Sequence, residues 1–375
     1  MTYNMPMTQS LSVKCKLIVP VEYRPKIDET LQGFADACNS VLEVAKREKC
    51  WNTTKLHHKV YKPVRESTGL KANHVCQAIR RVISNAKAVK EIHKFRPTSI
   101  SLDIRTFKYI ESEQTVGVTL KSGRVNFKLS IGGYQMALLK GQSLTSAVLK
   151  KTKQGDYYIN FVVEIDTPPT GKTPKVIGVD LGQKDIAHTS TGKSWSGGQV
   201  QATRDHFAKV RASLQRKCSK GAKRLLRRLS GREQRFQKWV NHNISKQLVE
   251  QAKLNYAALA FEDLTGIRKT AKVRKSQRRN LHTWACYQLR MFTTYKAAIA
   301  GVPVLLIPAP YTSQTHYVCL RIGQRRGKDF WCECCQVHED ADSNASKVIE
   351  LWGCVVSQPE RSALLSCSLL SLIAS

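Results

Sequence analysis

The sequence predicts a multidomain α+β protein, and three observations carry that prediction. Hydrophobic periodicity is helical over residues 25–97, switches to strict alternation from Ser99, and then becomes strands alternating with helices. The stretch TPPTGKTP at residues 167–174 is a linker between the two halves, since proline, glycine and threonine cannot sustain either period. A histidine and three cysteines near the C-terminus are spaced as metal ligands. The expected layout is an N-terminal β-barrel (wedge-like) domain over 1–24 and 98–166, with a helical recognition region at 25–97 inserted into it. An α/β domain over 175–311 and 338–375 follows, carrying a basic helical insertion at 203–252 and a zinc knuckle at 312–337.

SVKCKLIVPVEY alternates well enough to be a first strand, and Pro25 opens a helix, where its missing N–H costs nothing. Ile27, Leu31, Phe34, Cys38, Val41, Leu42 and Ala45 then recur at three and four, so that helix buries one face. A second helical stripe runs through Val75, Ile79, Val82, Ile83 and Ala86 and ends at Phe95-Arg96-Pro97. ISLDIRTF, TVGVTLKSGRVNFKLSI and TSAVLKKTKQGDYYINFVVEID read as antiparallel strands with turns at Ser122-Gly123 and Gln154-Gly155-Asp156.

Beyond the linker, KVIGVDLG is a short, nearly continuous apolar run, the pattern of a strand covered on both faces. KDIAHTSTGKSWS supplies the next strands, turning at Thr191-Gly192. A basic helical stretch follows, broken near Ser219-Lys220-Gly221, with Leu225, Leu226, Leu229, Phe236, Val240 and Ile244 as its apolar side. YAALAFEDL is again a buried strand, and a helix through Trp284, Leu289, Phe292 and Ala297 ends at Gly301 before the strand VPVLLIPAP.

The 375 residues carry 61 lysines and arginines against 28 aspartates and glutamates, a formal charge of +33 that repels itself unless a polyanion neutralises it. The excess is concentrated between Arg204 and Lys238 and again from Arg268 to Arg279, which points to phosphate contacts from Lys223, Arg224, Arg227, Arg228, Arg274 and Lys275. A merely solvated charged face is the alternative, but acidic partners for i, i+4 pairing are scarce there. Most of the twelve cysteines sit singly in apolar helical patterns, as reduced thiols do, so a reducing cytoplasm is expected. No run reaches the roughly 18 apolar residues of a membrane span.

Three separated carboxylates lie where a strand end or helix start would expose them: Asp180 in IGVDLG, Glu262 in FEDL and Asp342 in DADSNASKVIELWG. Magnesium is a hard cation that takes oxygen ligands, and three anionic side chains suit it. Periodicity does not choose between Glu262 and Asp263, and Asp342 reads equally as the cap of the helix bearing Ala345, Val348, Ile349 and Trp352. His316 and Cys319 form one i, i+3 pair and Cys332 and Cys335 another, twelve residues apart, a span suited to tetrahedral Zn²⁺. Cys334 leaves the second pair ambiguous.

Taken in order, IGVDLG, a basic helical insertion, FEDL, a Trp-containing helix, TSQT, a ligand pair, DFWCECC and DADSNAS resemble the TnpB (OrfB) family. These are RNA-guided endonucleases of bacterial insertion-sequence transposons, related to type V CRISPR effectors, and the resemblance spans residues 175–353. It implies an RNase H-like (RuvC) nuclease core with Asp180, Glu262 and Asp342 as catalytic residues holding Mg²⁺, two ions being expected. It also implies a structural Zn²⁺, a guide RNA from the transposon end, a double-stranded DNA target cut beside a short adjacent motif, and a bacterial, nucleoid-associated location. The family usually has cysteine where His316 stands, and the N-terminal half matches only in layout. The alternatives are a catalytically silent RNA-guided regulator and a transposase joining DNA strands.

Overall fold

The computed structural model describes residues 8–89, 91–168, 173, 175–182, 184–263, 286–308 and 310–357. Two compact units divide it, one of residues 10–165 and one of the residues before 10 together with those from 166 onward. In the first, β1 (Thr8–Ile18) leads into α1 (Arg24–Arg47), whose buried residues include Ile27, Leu31, Phe34, Cys38, Val41, Leu42 and Ala45, the stripe expected from spacing. Helices α2 (Thr53–Thr68) and α3 (Ala72–Ala88) pack beside it. Spacing alone did not announce α2, because Pro63 interrupts it. Its ends are nonetheless well specified. The Asn52 side chain accepts hydrogen bonds from the N–H groups of Thr54 and Lys55, and Gly69 closes the helix at φ +63°.

Strands β2 (Ser99–Asp103), β3 (Phe107–Ile110), β4 (Thr115–Leu120), β5 (Gly123–Ser130), β6 (Ser146–Lys151) and β7 (Tyr157–Asp166) join β1 in one sheet of order β2-β6-β7-β1-β5-β4-β3, with the short helix α4 (Gly133–Leu139) between β5 and β6. ISLDIRTF, expected as one strand, is split into β2 and β3. Asp103 Oδ1 accepts from the N–H groups of Arg105 and Thr106, and this turn reverses the chain. The split matters for the architecture. β2 and β3 are the two edges of the sheet, so the turn joins one edge to the other and the sheet is a nearly closed barrel. Its interior alternates Val116, Val118 and Leu120 with Phe127, Ile159 and Phe161.

The second unit is built on β8 (Lys175–Asp180), β9 (Asp185–Thr189), β10 (Ser194–Ser196), β11 (Ala257–Glu262) and β12 (Val304–Ile307), in the order β10-β9-β8-β11-β12. β8, β11 and β12 run parallel and β9 antiparallel to β8, which is the RNase H-like arrangement. α5 (Gly198–Lys217), α6 (Lys220–Leu229) and α7 (Arg232–Leu254) form the basic helical stretch, and α8 (Cys286–Ala300) follows β11. Ile244, Leu248, Leu289 and Ala297 from α7 and α8 cover one sheet face over Ile177, Val179, Leu259 and Phe261. On the opposite face α9 (Ala341–Ser357) places Ile349 on Val176, Ala258 and Ala260.

The seating of α9 depends on two glycines. A Cβ at Gly178 would stand 2.0 Å from the Ser346 carbonyl oxygen and 2.4 Å from the Glu350 nitrogen, so only glycine lets α9 lie directly on β8. Gly353 does the same from the helix side, facing Val176 and Ala260. The small sheet of β13 (Gln324–Arg326), β14 (Asp329–Cys332) and β15 (Val337–Asp340) precedes α9.

Candidate catalytic and metal centres

Asp180 ends β8 and Glu262 ends β11. The two strands are parallel neighbours, with Val179 registered on Phe261, so their terminal carboxylates emerge side by side at the carboxyl edge of the sheet. Asp342 reaches the same place from the first turn of α9, where it is only 6% exposed. Mutual proximity has an electrostatic signature. Burial, then the charges of Glu262 and Asp342, push the Asp180 carboxyl up to about 7, with Arg325 opposing the rise. Burial likewise raises Glu262, against a hydrogen bond donated by the Thr312 hydroxyl and the charge of Arg325.

Two ambiguities of the sequence are resolved here. The helix cap is Asp340, whose Oδ1 accepts from the N–H groups of Asp342 (3.0 Å) and Ser343 (2.8 Å), which leaves the Asp342 carboxylate out of the cap. Asp263 is exposed and accepts from Arg290 Nη1 at 2.9 Å, whereas Glu262 faces inward. The room that Gly178 leaves beside Asp180 is filled by the backbone of α9. Arg325, which sequence reasoning did not single out, donates from Nη2 to Asp342 Oδ1 at 2.6 Å. Its only signal was the run RIGQRRGKD, where charge alone does not mark one arginine among several.

The His and Cys residues converge as well. One ligand atom from each of His316, Cys319, Cys332 and Cys335 lies within 4.8 Å of the others. The first knuckle is a tight turn in which His316 N–H bonds to the Arg321 carbonyl and Leu320 N–H to the His316 carbonyl, with Leu320 at φ +59°. The second begins where β14 ends at Cys332. Cys335 belongs to the cluster, and Cys334 is exposed and outside it. Burial disfavours the Cys332 thiolate, but backbone hydrogen bonds from Cys335 and contacts with the neighbouring thiols outweigh this and lower its pKa. The Cys335 thiol is pushed up to about 12, first by its hydrogen bond with Cys319 and then by burial, and burial raises Cys319. Three thiols that cannot all ionise together, beside a buried imidazole, are a donor set that fits a divalent cation, and for Zn²⁺ they are the preferred donors.

Lys223, Arg224, Arg227 and Arg228 are all exposed on α6. Leu225, Leu226 and Leu229 lie half-buried between them. Among the described residues none of the four basic side chains has an acidic partner. Arg274 and Lys275 lie outside the described residues. Among those described, no helix is long and apolar enough to cross a membrane.

An RNase H-like sheet with three carboxylates at its carboxyl edge and a His-Cys₃ knuckle inserted before the last of them defines the class of protein. Residues 160–268 match the OrfB_IS605 family model, described as a probable transposase, and residues 287–349 match the TNB domain of Cas12f1-like proteins. The CRISPR-associated endodeoxyribonuclease Cas12f1 of Sulfoacidibacillus thermotolerans is 29% identical over 57% of this chain and 55% of its own length. A TnpB-like protein of Methanocaldococcus jannaschii is 30% identical over 38% of this chain and 56% of its own. In fold, a Cas12f1 chain solved with sgRNA and target DNA superposes at a TM-score of 0.63 with 14% identity, over 88% of this chain and 83% of that one. The chain is therefore similar to the TnpB (OrfB) and Cas12f1 proteins, and the resemblance read from its motif order holds. It spans about half the length of the curated relatives it matches.

Proposed function

We propose that the protein is an RNA-guided, metal-dependent DNA endonuclease, encoded by a transposon, whose cutting site is Asp180, Glu262 and Asp342. One observation carries the reading: three carboxylates from separate segments converge at the end of β8, where burial first and then the charges of Glu262 and Asp342 push the Asp180 carboxyl up to about 7. Carboxylates perturbed in this way cluster at functional sites, and a bound cation would relieve the repulsion among them. The donor set is all oxygen and anionic, which fits Mg²⁺. When bound, Mg²⁺ supplies an activated water and neutralises charge on the leaving oxygen of a phosphodiester.

The side chains have separable tasks in this scheme. Glu262 is held in orientation by Thr312, while the strand neighbours Asp180 and Glu262 keep their relative position through the β8–β11 register. Gly178 and Gly353 let α9 bring Asp342 up to them. Arg325 shields the acidic cluster from within the knuckle. Zn²⁺ held by His316, Cys319, Cys332 and Cys335 would be structural, and the unpaired cations of α6 grip phosphates without reading sequence. Sequence choice then falls to base pairing with a guide RNA from the transposon end, beside a short adjacent motif in the DNA. The named Cas12f1 relatives, one of them solved with sgRNA and target DNA, support these partners.

The test is to co-express the protein with RNA from the flanking transposon end, identify the retained RNA, and assay cutting of a matched duplex with Mg²⁺ and then with a chelator. Asp180→Ala, Glu262→Ala and Asp342→Ala should each nearly abolish cutting, no less than the triple variant does, while guided binding survives. Cutting at the wild-type rate by Asp180→Ala would sink the assignment. Elemental analysis of the same preparations should find about one zinc per chain, lost in Cys332→Ser.

A further inference from the structure

His316 is 2% exposed, and its two ring nitrogens face different neighbours. Nδ1 lies 3.3 Å from Cys319 Sγ, on the thiol side. Nε2 lies 2.8 Å from Oε1 of Glu339, a residue of β15. That oxygen is buried and has no hydrogen-bond partner of good geometry among the described residues, so the imidazole nitrogen 2.8 Å away is the polar group placed to satisfy it. Lys347 of α9 stands 3.7 Å from the other carboxylate oxygen and 4.0 Å from the centre of the Tyr317 ring, which holds the acid from the helix side. The Phe330 ring, paired with Glu339 across β14 and β15, lies 5.9 Å from the imidazole at 28° and fixes the plane of the ring.

We infer that Glu339 is a positioning residue for the knuckle: its carboxylate accepts the Nε2–H of His316, holds the tautomer whose Nδ1 lone pair faces the three thiols, and thereby sets the affinity for zinc. The inference rests on the zinc reading of the cluster. A neutral imidazole has one N–H and one lone pair, so a hydrogen bond that fixes the first also aims the second. A carboxylate behind a ligating histidine raises its basicity as well, and loss of such a partner typically costs about 10- to 100-fold in metal affinity. Cysteine at position 316 would have no N–H to offer Glu339. The acid is useful to the site only because a histidine stands there, and beside a fourth thiolate it would be a like charge.

Zinc affinity, measured on the full chain by competition with a chromophoric chelator, tests this. Glu339→Ala should weaken zinc by about 10- to 100-fold, and Glu339→Gln, whose amide oxygen still accepts from Nε2–H, should recover most of the loss. In the His316→Cys background the alanine change should carry no penalty. Histidine-selective ¹⁵N spectra of the zinc-loaded wild type should show Nε2 protonated and Nδ1 on the metal, a readout that does not depend on any variant folding. Wild-type affinity in Glu339→Ala, an equal loss in the His316→Cys background, or a protonated Nδ1 overturns the inference and leaves the zinc site standing. A wild-type chain that takes up no zinc overturns the zinc reading itself.

Discussion

At the scale of single residues, the acidic site was legible as residue types and obscure as geometry. Asp180, Glu262 and Asp342 each end a strand or start a helix, which periodicity locates. It could not tell Glu262 from Asp263, because side chains of adjacent residues differ only in which face they leave by, and it could not tell that Asp340 rather than Asp342 caps α9. Arg325 was invisible for a further reason: its role comes from the path of the β13 strand and not from its neighbours in sequence. The raised Asp180 carboxyl makes a testable statement. Its folded pKa of about 7 exceeds an unfolded value of about 3.9. The folded state therefore binds the extra proton between those values, and stability falls as pH rises from about 4 to about 7 and then levels off. Asp180→Asn should remove that slope. Without Mg²⁺ the variant should be more stable than wild type at pH 8, by on the order of 1–4 kcal/mol, and the gap should close towards pH 5. Added Mg²⁺ should raise the wild-type melting temperature more at pH 8 than at pH 6 and leave the variant nearly unmoved. Melting curves across pH decide it, and a gap independent of pH would remove the carboxylate cluster as its cause.

At the scale of elements, long amphipathic segments were the readable ones. The α1 stripe, the hairpin turns and the continuous apolar runs of β8 and β11 all follow from local period. α2 was not readable, since its proline and weak apolar side obscured a helix whose caps at Asn52 and Gly69 were the better signal. The split of ISLDIRTF into β2 and β3 depends on an aspartate turn that interrupts an otherwise unbroken alternation. The basic stretch was expected to break once and breaks twice, at Cys218 and at Gly231, both with φ positive. That second break isolates α6 as an element of its own, carrying Lys223, Arg224, Arg227 and Arg228, which have no acidic partner among the described residues. Replacing Lys223, Arg224, Arg227 and Arg228 with alanine should therefore weaken RNA and DNA binding for all sequences alike. It should also reduce the slope of log affinity against log salt by up to about 0.9 for each duplex phosphate that the variant leaves unneutralised. Affinity measured from low to high salt on matched and unmatched duplexes checks both, and an unchanged slope would return α6 to the status of a solvated face.

At the scale of the whole molecule the net charge of +33 dominates, and on the proposed function the free and the RNA-bound protein should respond to salt in opposite directions. In the free chain, like charges repel across the compact state, a cost to folding that counterions screen over about 10 Å at 0.1 M salt. Raising salt over this range should raise the melting temperature of the RNA-free protein. With RNA bound, the same cations are neutralised by phosphates, and the ligand adds stability according to its affinity. That affinity falls steeply with salt as condensed counterions compete for the phosphates. The complex should therefore melt higher than the free chain at low salt and lose its advantage as salt rises, until the two curves meet. Thermal melts of the protein with and without its co-purified RNA, each at a series of salt concentrations, test both signs at once. Parallel responses would mean that the basic excess is not where the polyanion binds, and the phosphate-gripping role proposed for α6 would have to be abandoned.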